Sequence, residues 1–79
     1  MRPPTEDDIL LCLLLTGDSL PITIGNLMGR HTKSISRSIP PLIEDGLVVE
    51  KDRGVYALTP DGHAEAQRVL TRRAEDSDG

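Results

Sequence analysis

The chain is 79 residues long with a formal net charge of −4, a length that allows one domain and excludes a second. A single cysteine excludes an internal disulfide framework or a thiolate metal cluster, and a single aromatic, Tyr56, excludes stacking platforms for single-stranded nucleic acid. Thirteen acids against nine bases argue, as a sum, against a nucleic-acid partner.

Two finer features qualify that sum. Seven of the bases are arginines and only Lys33 and Lys51 are lysines, which with the high Asp and low aromatic content suggests a salt-adapted surface. A domain this small buries only about 60% of its unfolded surface and is marginal without a partner chain. The one continuous apolar run, Ile9 to Leu15, has seven residues, far short of the ~20 needed to span a bilayer. The reading is a soluble, cytoplasmic (nucleoid-associated) chain with no membrane partner.

In chain order, Arg2-Pro3-Pro4 cannot be helix interior, so residues 1–5 read as a flexible arm. Thr5 offers an N-cap, Glu6, Asp7 and Asp8 fill a first turn where the helix dipole favours acids, and the first helix runs to about Leu15 with Gly17 as its stop. A second, shorter helix spans Ile22 to Met28 and ends at Gly29. A third begins at Arg30-His31-Thr32, capped by His31 or Thr32, and carries Ile35, Ile39, Leu42 and Ile43 as one buried stripe up to Asp45-Gly46. The period then changes. Leu47-Val48-Val49-Glu50 and Val55-Tyr56-Ala57-Leu58 flank a polar tip, Lys51-Asp52-Arg53-Gly54, and read as a β-hairpin. Thr59-Pro60-Asp61 caps a fourth helix extending to about Arg73, with Ala66, Val69 and Leu70 as its apolar contacts. The folded unit is thus residues 6–73, and residues 74–79 read as an acidic, disordered tail.

The order is helix, helix, helix, hairpin, helix: mainly α with a small hairpin wing behind a helix-turn-helix. Gly29 at the turn, the Ile35/Ile39/Ile43 spacing, Glu44-Asp45-Gly46-Leu47-Val48 and Gly54-Val55-Tyr56-Ala57-Leu58-Thr59-Pro60-Asp61-Gly62 carry a resemblance. Over residues 6–70 the chain resembles winged-helix repressors, in particular small haloarchaeal phage-repressor-like proteins, and more distantly the MarR-like regulators. The resemblance implies a sequence-specific regulator of transcription, with double-stranded DNA as partner, the third helix (about 31–45) in the major groove and the wing (51–54) on backbone or minor groove.

The residues support that implication independently. From Arg30 to Ile39 the chain holds three bases and no acid. On a wheel of about 100° per residue, Lys33, Ser34 and Arg37 lie opposite the apolar stripe, with Thr32 and Ser36 at the edge of that side. Arg37 or Lys33 suits guanine O6/N7, and the hydroxyls suit base or phosphate. Arg30 and His31, at the turn, belong to the expected DNA-contacting set, His31 either touching phosphate or capping the helix. In the wing, Arg53 suits the minor groove and Lys51 a phosphate. Pro40 and Pro41 depart from the family pattern: the helix either bends after Ile39, or ends there and restarts with proline in its first turn. Tyr56 is expected to anchor the wing on the core.

Ile9, Leu10, Leu13 and Leu14 form one stripe of the first helix, with Cys12 at its flank as core filler, whereas Leu11 and Leu15 point nearly opposite. Leucines on the far side predict a two-fold homodimer, its interface formed by Leu11 and Leu15 with Val69 and Leu70 of the fourth helix, unless the domain itself wraps the first helix. His31 and His63 stand alone without ligand spacing, and no nucleophile–base pair, carboxylate pair or Gly-rich phosphate loop occurs. The expectation is no catalytic residue, no metal, no cofactor and no small-molecule effector. The alternative function is a winged-helix protein-interaction module without DNA binding.

Overall fold

The computed structural model describes residues 2–77. Four helices and one antiparallel hairpin follow one another as α1 (Pro4–Thr16), α2 (Pro21–Met28), α3 (Thr32–Glu44), β1 (Val48–Asp52), β2 (Val55–Leu58) and α4 (Pro60–Ser77). This is the expected order, and the arrangement is a winged helix-turn-helix.

Helix α1 starts earlier than Thr5. Pro3 is the cap residue, and its carbonyl accepts from the N–H of Glu6 at 3.0 Å, while Pro4 takes the first helical position. A proline there suffers no loss, because that N–H has no intrahelical partner in any helix. Nor is residue 2 part of a free arm. The Arg2 guanidinium reaches Asp45 and Glu65 at 3.2 Å each and Glu6 at 3.5 Å, tying the start of the chain to the end of α3 and to α4. At the other end α4 continues to Ser77, so residues 74–77 are helical rather than a disordered tail; Asp78 and Gly79 lie outside the described residues.

The core forms where α1 meets α2, α3, α4 and β2. Ile9, Leu10, Ile24, Ile35, Leu42, Val48 and Val69 are fully buried, each contributing roughly 1.5–3 kcal/mol. Because four elements surround α1, Leu11 is buried too, and so is Val69 on α4. Both are therefore removed from the expected dimer face; of that set only Leu15 and Leu70 remain exposed, at 66% and 41%. Over Ile9–Leu13 the helix is apolar all round and buried all round. Ile43 also departs from expectation. It is 42% exposed and lines, with Pro21 and Tyr56, a groove of about 300 Å³ beside α3.

Helix α3 runs unbroken through Pro40 and Pro41, so it does not end at Ile39 and restart. The two carbonyls deprived of an amide partner belong to Ser36 and Arg37, both exposed residues, and water can satisfy them. Beyond Glu44 the N–H of Gly46 donates to Ile43 and that of Leu47 to Leu42, at 2.9 Å each, in the paired pattern that closes helices with a left-handed glycine. Thr59 caps α4 as expected: its hydroxyl accepts from the N–H of Gly62 at 2.9 Å and donates to the Gly46 carbonyl at 2.6 Å.

One pairing has no counterpart in the sequence reading. Ser19, between α1 and α2, exchanges two backbone hydrogen bonds with Tyr56, at 3.0 and 2.9 Å, adding a single bridging residue alongside the hairpin. With the Tyr56 side chain packed on the core, this bridge fixes the base of the wing.

Glu65 is held below the ordinary carboxylate range by the hydrogen bond from Arg68, opposed by desolvation, with Arg2 adding a second hydrogen bond. A carboxylate with a lowered folded-state pKa stabilises the fold above its unfolded value and loses that contribution as pH falls through the folded value. Stability should therefore drop as pH descends from the Glu65 reference of 4.5, and Glu65→Gln should flatten the decline in chemical denaturation series below that pH.

Candidate nucleic-acid interface

The turn between α2 and α3 sets how the third helix is presented. Gly29 adopts φ 68°, a left-handed conformation that closes α2, and the N–H of Arg30 donates back to Gly25 at 2.9 Å. Gly25 itself is at close quarters: a Cβ there would lie 2.6 Å from the Arg30 carbonyl oxygen. The two glycines let the chain reverse in three residues.

His31 then caps α3, its Nδ1 accepting from the N–H of Lys33 at 3.3 Å, which decides between the two cap candidates. Ring capping is an unusual substitute for the short oxygen side chains that do this best. His31→Ala should cost about 0.5–2 kcal/mol, and His31→Asn should restore the loss. Thermal melts of the two variants side by side would expose an error, since equal melting points mean the ring does no capping.

Beyond the cap, α3 presents Lys33, Ser34, Ser36 and Arg37 as exposed side chains, with Thr32 half-buried beside them. Ile35, Ile39 and Leu42 anchor the opposite side in the core. Between Asp18 and Glu44 the chain has no carboxylate, so α2 and most of α3 form one acid-free surface in an otherwise acidic molecule.

The wing supplies the second part. Val48 pairs with Leu58 and Glu50 with Tyr56, and the register shifts between Glu50 and Asp52, so that Lys51 forms a bulge. Arg53-Gly54 is the tip. Two acids hold it: Asp52 accepts from the N–H of Arg53 at 2.8 Å and Glu50 from that of Gly54 at 3.0 Å. Their charge is thereby turned onto backbone donors.

The candidate bases do not all stand alike. Lys33, Arg37 and Arg53 make no ion pair among the described residues. Lys51 lies 3.4 Å from Asp18, an exposed pair worth at most about 1 kcal/mol and open to exchange for phosphate. Arg30 is different. Its Nε sits 2.5 Å from Asp8, whose side chain is only 11% exposed, so the guanidinium is paired with a largely buried carboxylate of α1. Asp8 is the residue sequence reasoning missed. Its one signal was a carboxylate abutting the apolar run at Ile9; its partners lie 22 and 65 positions downstream.

Among the described residues no group of three His, Cys, Asp or Glu side chains is placed to hold a metal ion, and no helix is long and apolar enough to cross a membrane.

No protein-family model matches the chain, and no curated protein matches it. Solved structures do. A MarR family regulator from Neisseria meningitidis superposes with a TM-score of 0.78 at 25% identity, over 95% of this chain and 57% of its own. The MarR family transcriptional regulator of Silicibacter pomeroyi gives 0.78 at 25% identity, over 94% and 57%. IdeR from T. acidophilum gives 0.73 at 31% identity, over 89% and 35%. The two MarR family structures are regulators by name, the second a transcriptional one. This chain spans a little over half the length of the MarR family structures it matches.

Proposed function

We propose that the chain is a sequence-specific, double-stranded DNA-binding transcription regulator, a repressor acting as a homodimer, with α3 in the major groove and the wing tip on backbone or minor groove. The observation that carries this reading is the exposed, acid-free face of α3 with Lys33 and Arg37 left unpaired among the described residues, on a fold whose solved neighbours are transcription regulators. The Asp-rich, Lys-poor composition fits the haloarchaeal-type resemblance, and a cytoplasmic, nucleoid-associated site of action goes with the function. Dimerisation would place two α3 helices about one DNA turn apart on paired half-sites; of the four residues expected at the interface, Leu15 and Leu70 are the exposed ones.

Selection of bound duplexes from a random pool at several salt concentrations tests the reading. Recovery of a common motif, repeated about 10–10.5 base pairs apart and binding more weakly as salt rises, is the expected result. An unenriched pool overturns it and leaves the protein-interaction module as the function.

A further inference from the structure

Asp8 is shared by two arginines from different elements. One carboxylate oxygen meets Nε of Arg30, at the α2–α3 turn, at 2.5 Å; the other meets Nη2 of Arg73, on α4, at 2.6 Å. The three side chains are 11%, 33% and 40% exposed, so the pairs are partly withdrawn from water, where removal of one partner leaves charge uncompensated. Arg30 directly precedes the His31 cap, and its backbone is pinned as well, through the bond to Gly25 and the close approach of its carbonyl to that glycine. A displacement of Arg30 therefore moves the cap and the first turn of α3.

We propose that Asp8 is a positioning residue for α3: it seats Arg30, and with it the α2–α3 turn, and ties that turn to Arg73 of α4. Arg30, though basic and among the expected DNA contacts, acts by holding the turn. The functional readout rests on the DNA-binding reading; the structural one does not. The proposal also reverses a sign. By charge alone, Asp8→Asn raises the net charge from −4 to −3 and releases a guanidinium, which should tighten DNA binding. Positioning requires that it weaken binding.

The test combines amide hydrogen exchange at residues 29–35 of the unliganded protein with titration of the duplex recovered by selection, at several salt concentrations. Asp8→Asn and Arg30→Ala should each speed exchange there and each weaken binding at least about fivefold, with an unchanged salt slope. The combined variant should be no worse than either alone, and Arg30→Lys should stay within about twofold of the unaltered protein. Arg73→Ala should speed exchange at the same amides; unchanged exchange removes α4 from the device. Tighter binding by Asp8→Asn, or a slope reduced by about 0.9 per chain in Arg30→Ala, overturns the proposal and makes Arg30 a phosphate contact. Should Asp8→Asn fail to fold, the Arg30→Ala and Arg30→Lys pair decides. If the unaltered protein enriches no duplex, the DNA-binding reading fails and the exchange data alone decide whether Asp8 positions the turn.

Discussion

Gly62→Ala is expected to destabilise the domain by about 3 kcal/mol, at the upper end of what forced overpacking typically costs. Gly62 lies in the first turn of α4, and its φ is not positive, so helix propensity alone predicts that alanine stabilises by roughly 0.5–1 kcal/mol. Packing predicts the opposite. A Cβ at Gly62 would be driven into the backbone carbonyl of Leu47, which no side-chain rotation can clear. Nor can the helix simply slide away. The Leu47 carbonyl accepts from the N–H of Thr59 at 3.0 Å, and the Thr59 hydroxyl accepts from Gly62 itself. The start of α4 is thus bonded to the start of the hairpin, and the glycine is what allows the approach. For 79 residues the whole folding free energy is about 4–12 kcal/mol, so the substitution removes a large share of it. Urea denaturation reads the answer directly. A lowered midpoint at unchanged slope is the expected outcome, and a raised midpoint would mean that propensity outweighs the collision.

That contrast shows what a sequence of this kind conceals. Element order was legible because each helix carries its own punctuation: Gly17, Gly29 and Gly46 end three of them, and Thr59-Pro60 opens the fourth. The α3 stripe was legible in Ile35, Ile39 and Leu42 because period and burial agree, while Ile43 failed because the stripe is narrower than the wheel implies. The far side of α1 could not be read at all. Whether Leu11 faces a second chain or the rest of its own domain depends on where α4 packs, which is a tertiary fact. The same holds for charge. Thr32, Lys33, Ser34, Ser36 and Arg37 could be placed on one side of a helix from spacing alone. Arg30 could not be separated from them, because its partner Asp8 stands 22 residues earlier, and Ser19 gave no sign of its bridge to Tyr56. Local periodicity reports which face a residue occupies; it does not report who waits there.

The second large effect falls on the α3 surface. Arg37→Ala should weaken binding to a selected duplex by about 1–3 kcal/mol and relax preference at one base position, as expected for a guanidinium reading a base edge. Lys33→Ala should weaken binding evenly across sequences and reduce the salt slope by about 0.9 for each chain bound, as expected for a phosphate contact. The two outcomes exchange if the roles do, and titrations against a panel of single-base variants at three salt concentrations separate them. The structure also limits the total. Five bases lie between Arg30 and Arg53, but Arg30 is committed to Asp8 and Lys51 is shared with Asp18. Lys33, Arg37 and Arg53 remain, six cations in the proposed dimer, for a slope near −5 rather than the −9 that all five per chain would give. A shallow slope suits a salt-adapted surface: with few phosphate contacts to lose, affinity rests on base hydrogen bonds and on how α3 is held. A slope near −9 would show that Arg30 and Lys51 leave their carboxylates for phosphate, and that the acidic residues of this chain serve as placeholders for DNA.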